Sequence, residues 1–166
     1  MNDTTVKTER ALFASGCFWG TEYYFQHAKG VLETIVGYTG GHKNYATYYE
    51  VCTGTTGHAE TVEVIFDPSQ VSYEELAKLF FETHDPGQEN GQGPDIGTQY
   101  RSAIFYLSEE QKQIAEKLIM TLKSKGHKVV TEITKAGPFW KAEDKHQQYY
   151  TNGGGSPYCH RYTKKF

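Results

Sequence analysis

Apolar positions recur along this chain in two rhythms, and the changes between them mark its elements. Thr8 to Ser15 carries Ala11, Leu12, Phe13 and Ala14 and stops at Gly16, which predicts a strand ending in a sharp turn. From Phe18 to about Lys29 the pattern suits a helix, with Gly30 as its C-cap. Val31 to Tyr38 is rich in β-forming residues and runs into Gly40-Gly41. Val62, Val64 and Phe66 then alternate with Thr61, Glu63 and Ile65, a strand that Asp67-Pro68 ends.

Ser72-x-x-Glu75 is a capping box that opens a helix through Leu76, Leu79 and Phe80. His84 to Gly97 is long, irregular and dense in Gly, Gln and Asp, and loops of that kind inside a compact domain are usually functional or disordered. Tyr100 to Leu107 predicts a strand. Ser108 to Gln111 caps a helix with Ile114, Leu118, Ile119 and Leu122 on one face and Gly126 as its stop. Lys128 to Ile133 reads as a further strand and Ala142 to Tyr149 as a short helix. From Asn152 onward, Gly153-Gly154-Gly155 and Pro157 predict a flexible arm reaching Phe166. Together these elements predict an α+β fold: a two-layer sandwich on a ferredoxin-like split β-α-β core, with an extra C-terminal helix and the arm.

The length of 166 residues suits a single domain spanning the chain, and 14% aromatic content is globular rather than disordered. A formal charge of −3 offers no basic surplus for a phosphate backbone, which argues against nucleic acid. The apolar stretches are too short to cross a bilayer, and Met1 to Arg10 has no signal-peptide core, so the sequence reads as cytoplasmic. No heptad pattern or apolar surface stripe argues against a monomer. Three cysteines, Cys17, Cys52 and Cys159, are too few for a secreted disulfide scaffold but enough for a redox pair and a spare.

Gly16-Cys17-Phe18-Trp19-Gly20 places a cysteine where a strand turns into a helix. Unpaired N–H groups and the positive dipole end there favour thiolate over thiol. Phe18 and Trp19 stand where an apolar pocket can form beside the sulfur. The ordinary alternative is a buried structural cysteine. Gly57-His58-Ala59-Glu60 brings a His-x-Glu pair to a strand start, the pattern of zinc deaminases, but the second pair of cysteines that chemistry needs is missing. No other zinc spacing occurs, so no metal is expected. Taken singly, Glu60 reads as solvated surface, Asp95 as a turn residue and Tyr100 as a strand aromatic.

In combination these segments resemble the class A peptide methionine sulfoxide reductases, from about Ala11 to Tyr150. Gly-Cys-Phe-Trp-Gly at 16–20 is that family's signature. In order follow Gly37-Tyr38 to Gly41, Val51-Cys52-Thr53-Gly54 with Thr56 to Glu60, and Val64 to Pro68. His84-Asp85-Pro86, Asp95 to Ser102, Ala142-Glu143-Asp144 and His146-Gln147 complete the series. Ala46 and Pro94 depart from the family's usual Pro and Asn, neither of them at a chemical group.

The resemblance implies that Cys17 attacks a sulfoxide sulfur, that Glu60, Tyr48 and Tyr100 stabilise and protonate the departing oxygen, and that Asp95 orients the substrate. It places Phe18 and Trp19 around the substrate methyl group. The product on Cys17 is a sulfenic acid, which a second thiol converts to a disulfide for reduction by thioredoxin, an external dithiol rather than a bound cofactor. Cys159, in the glycine-rich arm, is the expected resolving residue, and Cys52 is expected to be packed structure. The implied substrate is the S epimer of methionine sulfoxide, free or in proteins. Two rival readings remain: a cysteine hydrolase using His58, His84 or His146 as base, and a non-catalytic peptide-binding module.

Overall fold

Alternation along the first strand decides how the molecule is layered. The structure, a computed structural model, describes residues 7–158 and 160–166. Its strands are β1 (Glu9–Ser15), β2 (Val31–Thr39), β3 (Ala59–Phe66), β4 (Gly91–Gln92), β5 (Asp95–Ile96), β6 (Ser102–Tyr106), β7 (Glu132–Lys135) and β8 (Trp140–Lys141). The helices are α1 (Phe18–Gln26), α2 (Tyr48–Cys52), α3 (Tyr73–Glu82), α4 (Glu109–Ser124) and α5 (Tyr149–Gly153). Ala11 and Phe13 of β1 join one buried cluster, while Leu12 and Ala14 join another. That is the period-two pleat with both faces covered.

Pairing extends each face across the sheet. Phe13 lies opposite Val62 on one side and Ile104 on the other, and Val62 lies opposite Val36. The Phe13 ring stacks on Phe25 of α1 at 4.9 Å and on Phe80 of α3 at 5.3 Å. Leu118 and Leu122 of α4 close the same core. On the reverse face Leu12, Ala14, Ala59, Ala103 and Phe105 pack under Ala136 and Phe139.

The six-stranded sheet has the order β7-β6-β1-β3-β2-β8, with β4 and β5 forming a separate ladder. β1 and β2 are each antiparallel to β3, so they run parallel on either side of it and the β1-α1-β2 unit is split. β6 is antiparallel to β1 and parallel to β7. One consequence matters for chemistry. The end of β1, the end of β2 and the starts of β3 and β6 all meet at one edge, where Tyr38 pairs with Glu60 and Ser15 with Ser102.

Several expectations are corrected. Tyr100 is no strand residue: Thr98–Tyr100 forms a 3-10 turn, and β6 begins at Ser102. The strand expected over 128–133 lies at Glu132–Lys135. The helix expected over 142–149 is a 3-10 turn, Asp144–His146, followed by α5. Two features interrupt it. The Gln147 amide bonds both the N–H and the C=O of Val36, at 2.9 Å each, and Gln148 adopts a φ of 56°. The expected arm over 152–166 is tied down near its end: Thr163 N–H donates to Glu82 O at 2.7 Å, and Lys165 Nζ to Phe81 O at 2.7 Å. Cys159 lies outside the described residues.

Candidate active site

The turn from β1 into α1 begins at Gly16, whose φ of 96° is open to glycine and strained for other residues. A Cβ there would also come within 2.6 Å of the Gln92 side chain. Cys17 then serves as N-cap of α1, its carbonyl accepting from the N–H groups of Gly20 and Thr21, with 7% of its surface exposed. The sulfur therefore sits at a helix N-terminus, where backbone N–H groups favour negative charge.

Glu60 meets that terminus from β3. It shares the parity of Val62 and Val64, so the pleat turns it to the helix side, and it is 1% exposed. Its solvated-surface reading is overturned. Phe18 N–H donates to Glu60 Oε1 at 3.2 Å, while Oε2 is buried with no hydrogen-bond partner among the described residues. Burial above all, then the Cys17 sulfur, pushes the Glu60 carboxyl well above the ordinary carboxylate range, against the pull of the Phe18 N–H. Glu60 is thus a carboxyl biased toward holding its proton, with its second oxygen uncommitted among the described residues.

Tyr48 opens α2 beneath a capping box in which Thr47 and Glu50 bond reciprocally. Its phenol and that of Tyr100 are pushed far up, first by burial and next by Glu60, so both remain neutral O–H donors. Both tyrosines lie within electrostatic reach of the Glu60 carboxyl. Asp95, in β5, accepts the Tyr158 hydroxyl at 3.1 Å on each oxygen and adds its charge to the influences raising Glu60.

Aromatic rings wall the site. Phe18 is fully buried and lies 5.8 Å from Tyr38 and 6.1 Å from Tyr48. Trp19 stacks on Tyr149 at 3.9 Å and donates its indole N–H to His146 Nδ1 at 3.1 Å. The His146 ring is 4.2 Å from Tyr48, and burial lowers its pKa. Glu143 fastens the wall from behind: it accepts the Tyr38 hydroxyl at 3.1 Å and the Tyr48 N–H at 3.2 Å.

Tyr38 and Glu143 carry no role in the sequence reading, and His146 appears there only as a rival hydrolase base. Their signals there are the Gly37-Tyr38 motif and the ordered motifs at 142–144 and 146–147. Cys52 is corrected as well. It is exposed rather than packed structure, and its thiol lies by the Tyr48 hydroxyl within electrostatic reach of Glu60 and Cys17. Partial burial raises its pKa, so it is a reluctant thiolate.

Two of the three histidines proposed as hydrolase bases have both ring nitrogens occupied, whereas His146 is held on Nδ1 by Trp19 and its Nε2 has no hydrogen-bond partner among the described residues. His58 accepts Gly41 N–H on Nδ1 at 3.0 Å and donates from Nε2 to Lys43 O at 2.6 Å. His84 bonds Phe80 O and Ser102 Oγ, and burial lowers its pKa to about 3.

Known proteins carry the same pattern. The profile of the family described as Peptide methionine sulfoxide reductase matches residues 9–166. A protein of Geobacter metallireducens named Peptide methionine sulfoxide reductase MsrA is 48% identical over 159 residues, covering 92% of this chain and 96% of its own length. Mxr1 from Saccharomyces cerevisiae in reduced form superimposes with a TM-score of 0.87 at 33% identity, covering 95% of this chain and 92% of that one. Methionine sulfoxide reductase A of Corynebacterium diphtheriae gives 0.82 at 40% identity, covering 93% and 80%.

Proposed function

Because this chain belongs to the peptide methionine sulfoxide reductase family and is an oxidoreductase of that type, we propose that Cys17 carries out the reduction with Glu60 as its acid. The carrying observation is Glu60 itself, buried, one oxygen on the Phe18 N–H and the other without a partner among the described residues, at the end of the helix that Cys17 opens.

A thiolate displaces oxygen from a sulfoxide only if that oxygen departs as something better than oxide. The Glu60 proton and the neutral hydroxyls of Tyr48 and Tyr100 meet this need. Charge makes the arrangement consistent: two neighbouring acids that repel share one negative charge, so a protonated Glu60 leaves it to Cys17. Phe18 and Trp19 form the apolar wall for the substrate methyl group, and Asp95 orients what lies beyond it. Methionine leaves and Cys17 becomes a sulfenic acid.

Cys159 then resolves that acid as a disulfide. Cys52 is the poorer nucleophile because its thiol is held protonated. Thioredoxin reduces the disulfide by exchange, and no bound cofactor takes part. A reducing compartment such as the cytoplasm suits a cycle that starts from thiols, and a single chain, folded as one domain, holds every group named here. The substrate is the S epimer, free or in proteins.

Resolved S and R epimers of methionine sulfoxide, each given with dithiothreitol, test this reading. Methionine is expected from the S epimer alone. No methionine from either, or hydrolysis of a thioester in their place, would overturn it.

A further inference from the structure

The expected free arm ends instead in a buried imidazole. His160 is 4% exposed, and its Nε2 lies 2.6 Å from the carbonyl oxygen of Ser15, which accepts the ring proton. The same nitrogen lies 3.3 Å from Thr21 Oγ1, and the Tyr24 hydroxyl donates to the His160 carbonyl at 3.3 Å. Gly20 has no room for a side chain, because a Cβ there would run into the His160 ring. Burial lowers the His160 pKa to about 4, which keeps the ring neutral near pH 7 with its one proton on Ser15 O. Ser15 and the first turn of α1 are the two segments that flank Cys17.

Two further ties brace the same stretch. Tyr158 holds Asp95, and Lys165 N–H donates to Glu82 Oε2 at 3.0 Å. The Lys165 tie stands apart from the reduction of substrate, and Tyr158 meets it only through Asp95. A buried histidine that Gly20 leaves space for, with backbone partners beside the nucleophile, calls for a separate reason.

We propose that His160 is a positioning residue for the recycling step, anchoring the chain one residue past Cys159 against the turn that carries Cys17. This rests on Cys159 being the resolving thiol. Successive Cα atoms are about 3.8 Å apart, so a tether anchored at residue 160 has far fewer arrangements open to it than one with a free end. A loose glycine-rich tether presents its end at only about millimolar effective concentration, whereas a fixed anchor presents it at far more. The step balances without an outside oxidant. The Cys159 sulfur attacks the Cys17 sulfur, an S–S bond forms and the S–O bond breaks. The departing hydroxide takes the thiol proton and leaves as water.

Rapid mixing of the reduced full-length chain with methionine sulfoxide, without reductant, separates the two steps. Methionine and loss of one titratable thiol report the first step, and loss of a second thiol reports the second. His160→Ala should form methionine at the unchanged rate but lose the second thiol roughly tenfold more slowly, the size of one hydrogen bond. His160→Gln, which can restore an N–H to Ser15 O, should recover much of that loss, as a merely structural role would not predict. Should His160→Ala fold poorly, Tyr24→Phe removes only the outer hydroxyl and should slow loss of the second thiol by a factor of about 2–5.

Loss of the second thiol at the unchanged rate in the folded His160 variant, or in Tyr24→Phe where the first is unfolded, overturns the inference. A control in Cys159→Ser separates the two failures. Loss of a second thiol there removes Cys159 itself from the cycle, and the positioning role with it.

Discussion

Replacing Glu60 by Gln alters one proton and little else. The amide oxygen can still accept the Phe18 N–H, now made at 3.2 Å, and the NH₂ group fills the space of Oε2. Burial favours the uncharged form of Glu60, and Gln is uncharged, so the site keeps its shape. What disappears is an acid able to give its proton to the departing oxygen. Proton transfer of that kind contributes a factor of about 10²–10⁴, or roughly 3–5 kcal/mol of barrier. A single turnover without reductant, quenched on the millisecond scale and read as methionine formed, should slow by that factor.

Stability moves in the opposite sense, and its direction follows from the raised pKa. Glu60 in the fold binds its proton more tightly than the ordinary carboxyl with a pKa of 4.5. Its contribution is fully present below that ordinary range and is lost as pH rises through the folded-state value. Gln has no proton to lose. Thermal melting at a series of pH values should therefore show the variant gaining on the unchanged protein as pH rises. A first-step rate within a factor of about 3 of the unchanged protein would refute Glu60 as the acid, since no acid–base role of the usual size could then remain.

Other perturbations have distinct signatures. Cys159→Ser should release one methionine per chain and then stop when thioredoxin is the reductant; steady turnover would exclude the residue. Tyr48→Phe and Tyr100→Phe should each slow the first step by about 10²-fold through loss of one hydrogen-bond donor, read in the same single-turnover assay. Glu143→Ala strands the Tyr38 hydroxyl and the Tyr48 N–H, and urea unfolding should show a loss of about 1–3 kcal/mol. An unchanged midpoint there would mean that the aromatic wall holds itself.

Where an element declares itself locally, the chain is readable. β1, β3, α3 and α4 follow from alternation, capping boxes and helical spacing, and each is long enough for its period to show. α2 is not, because five residues make barely one turn and its capping box at Thr47 and Glu50 lies inside a loop-like stretch. Glu60 is more instructive. Judged as one glutamate at a strand start it is surface, yet its parity with Val62 and Val64 already turns it inward. The wall behind Tyr48 was out of reach for another reason. Glu143 and His146 lie about a hundred residues from the rings they touch, and only the β2–β8 pairing brings them there. Cys52 reads as packing because it resembles a family position that is usually not catalytic, while its exposure and its place by the Tyr48 hydroxyl show only once α2 is folded. The tail illustrates the converse, since its glycines suggest freedom while His160 and Lys165 hold its far end.

Oxygen transfer to one sulfur is best tested by mass. Cys159→Ser protein, mixed with excess methionine S-sulfoxide and no reductant, should yield one methionine per chain and one added oxygen on the peptide that contains Cys17. With Cys17→Ser in the same background, both signals should vanish while the fold persists. Methionine formed without Cys17, or oxygen found on Cys52 in its stead, would contradict the chemistry assigned to position 17.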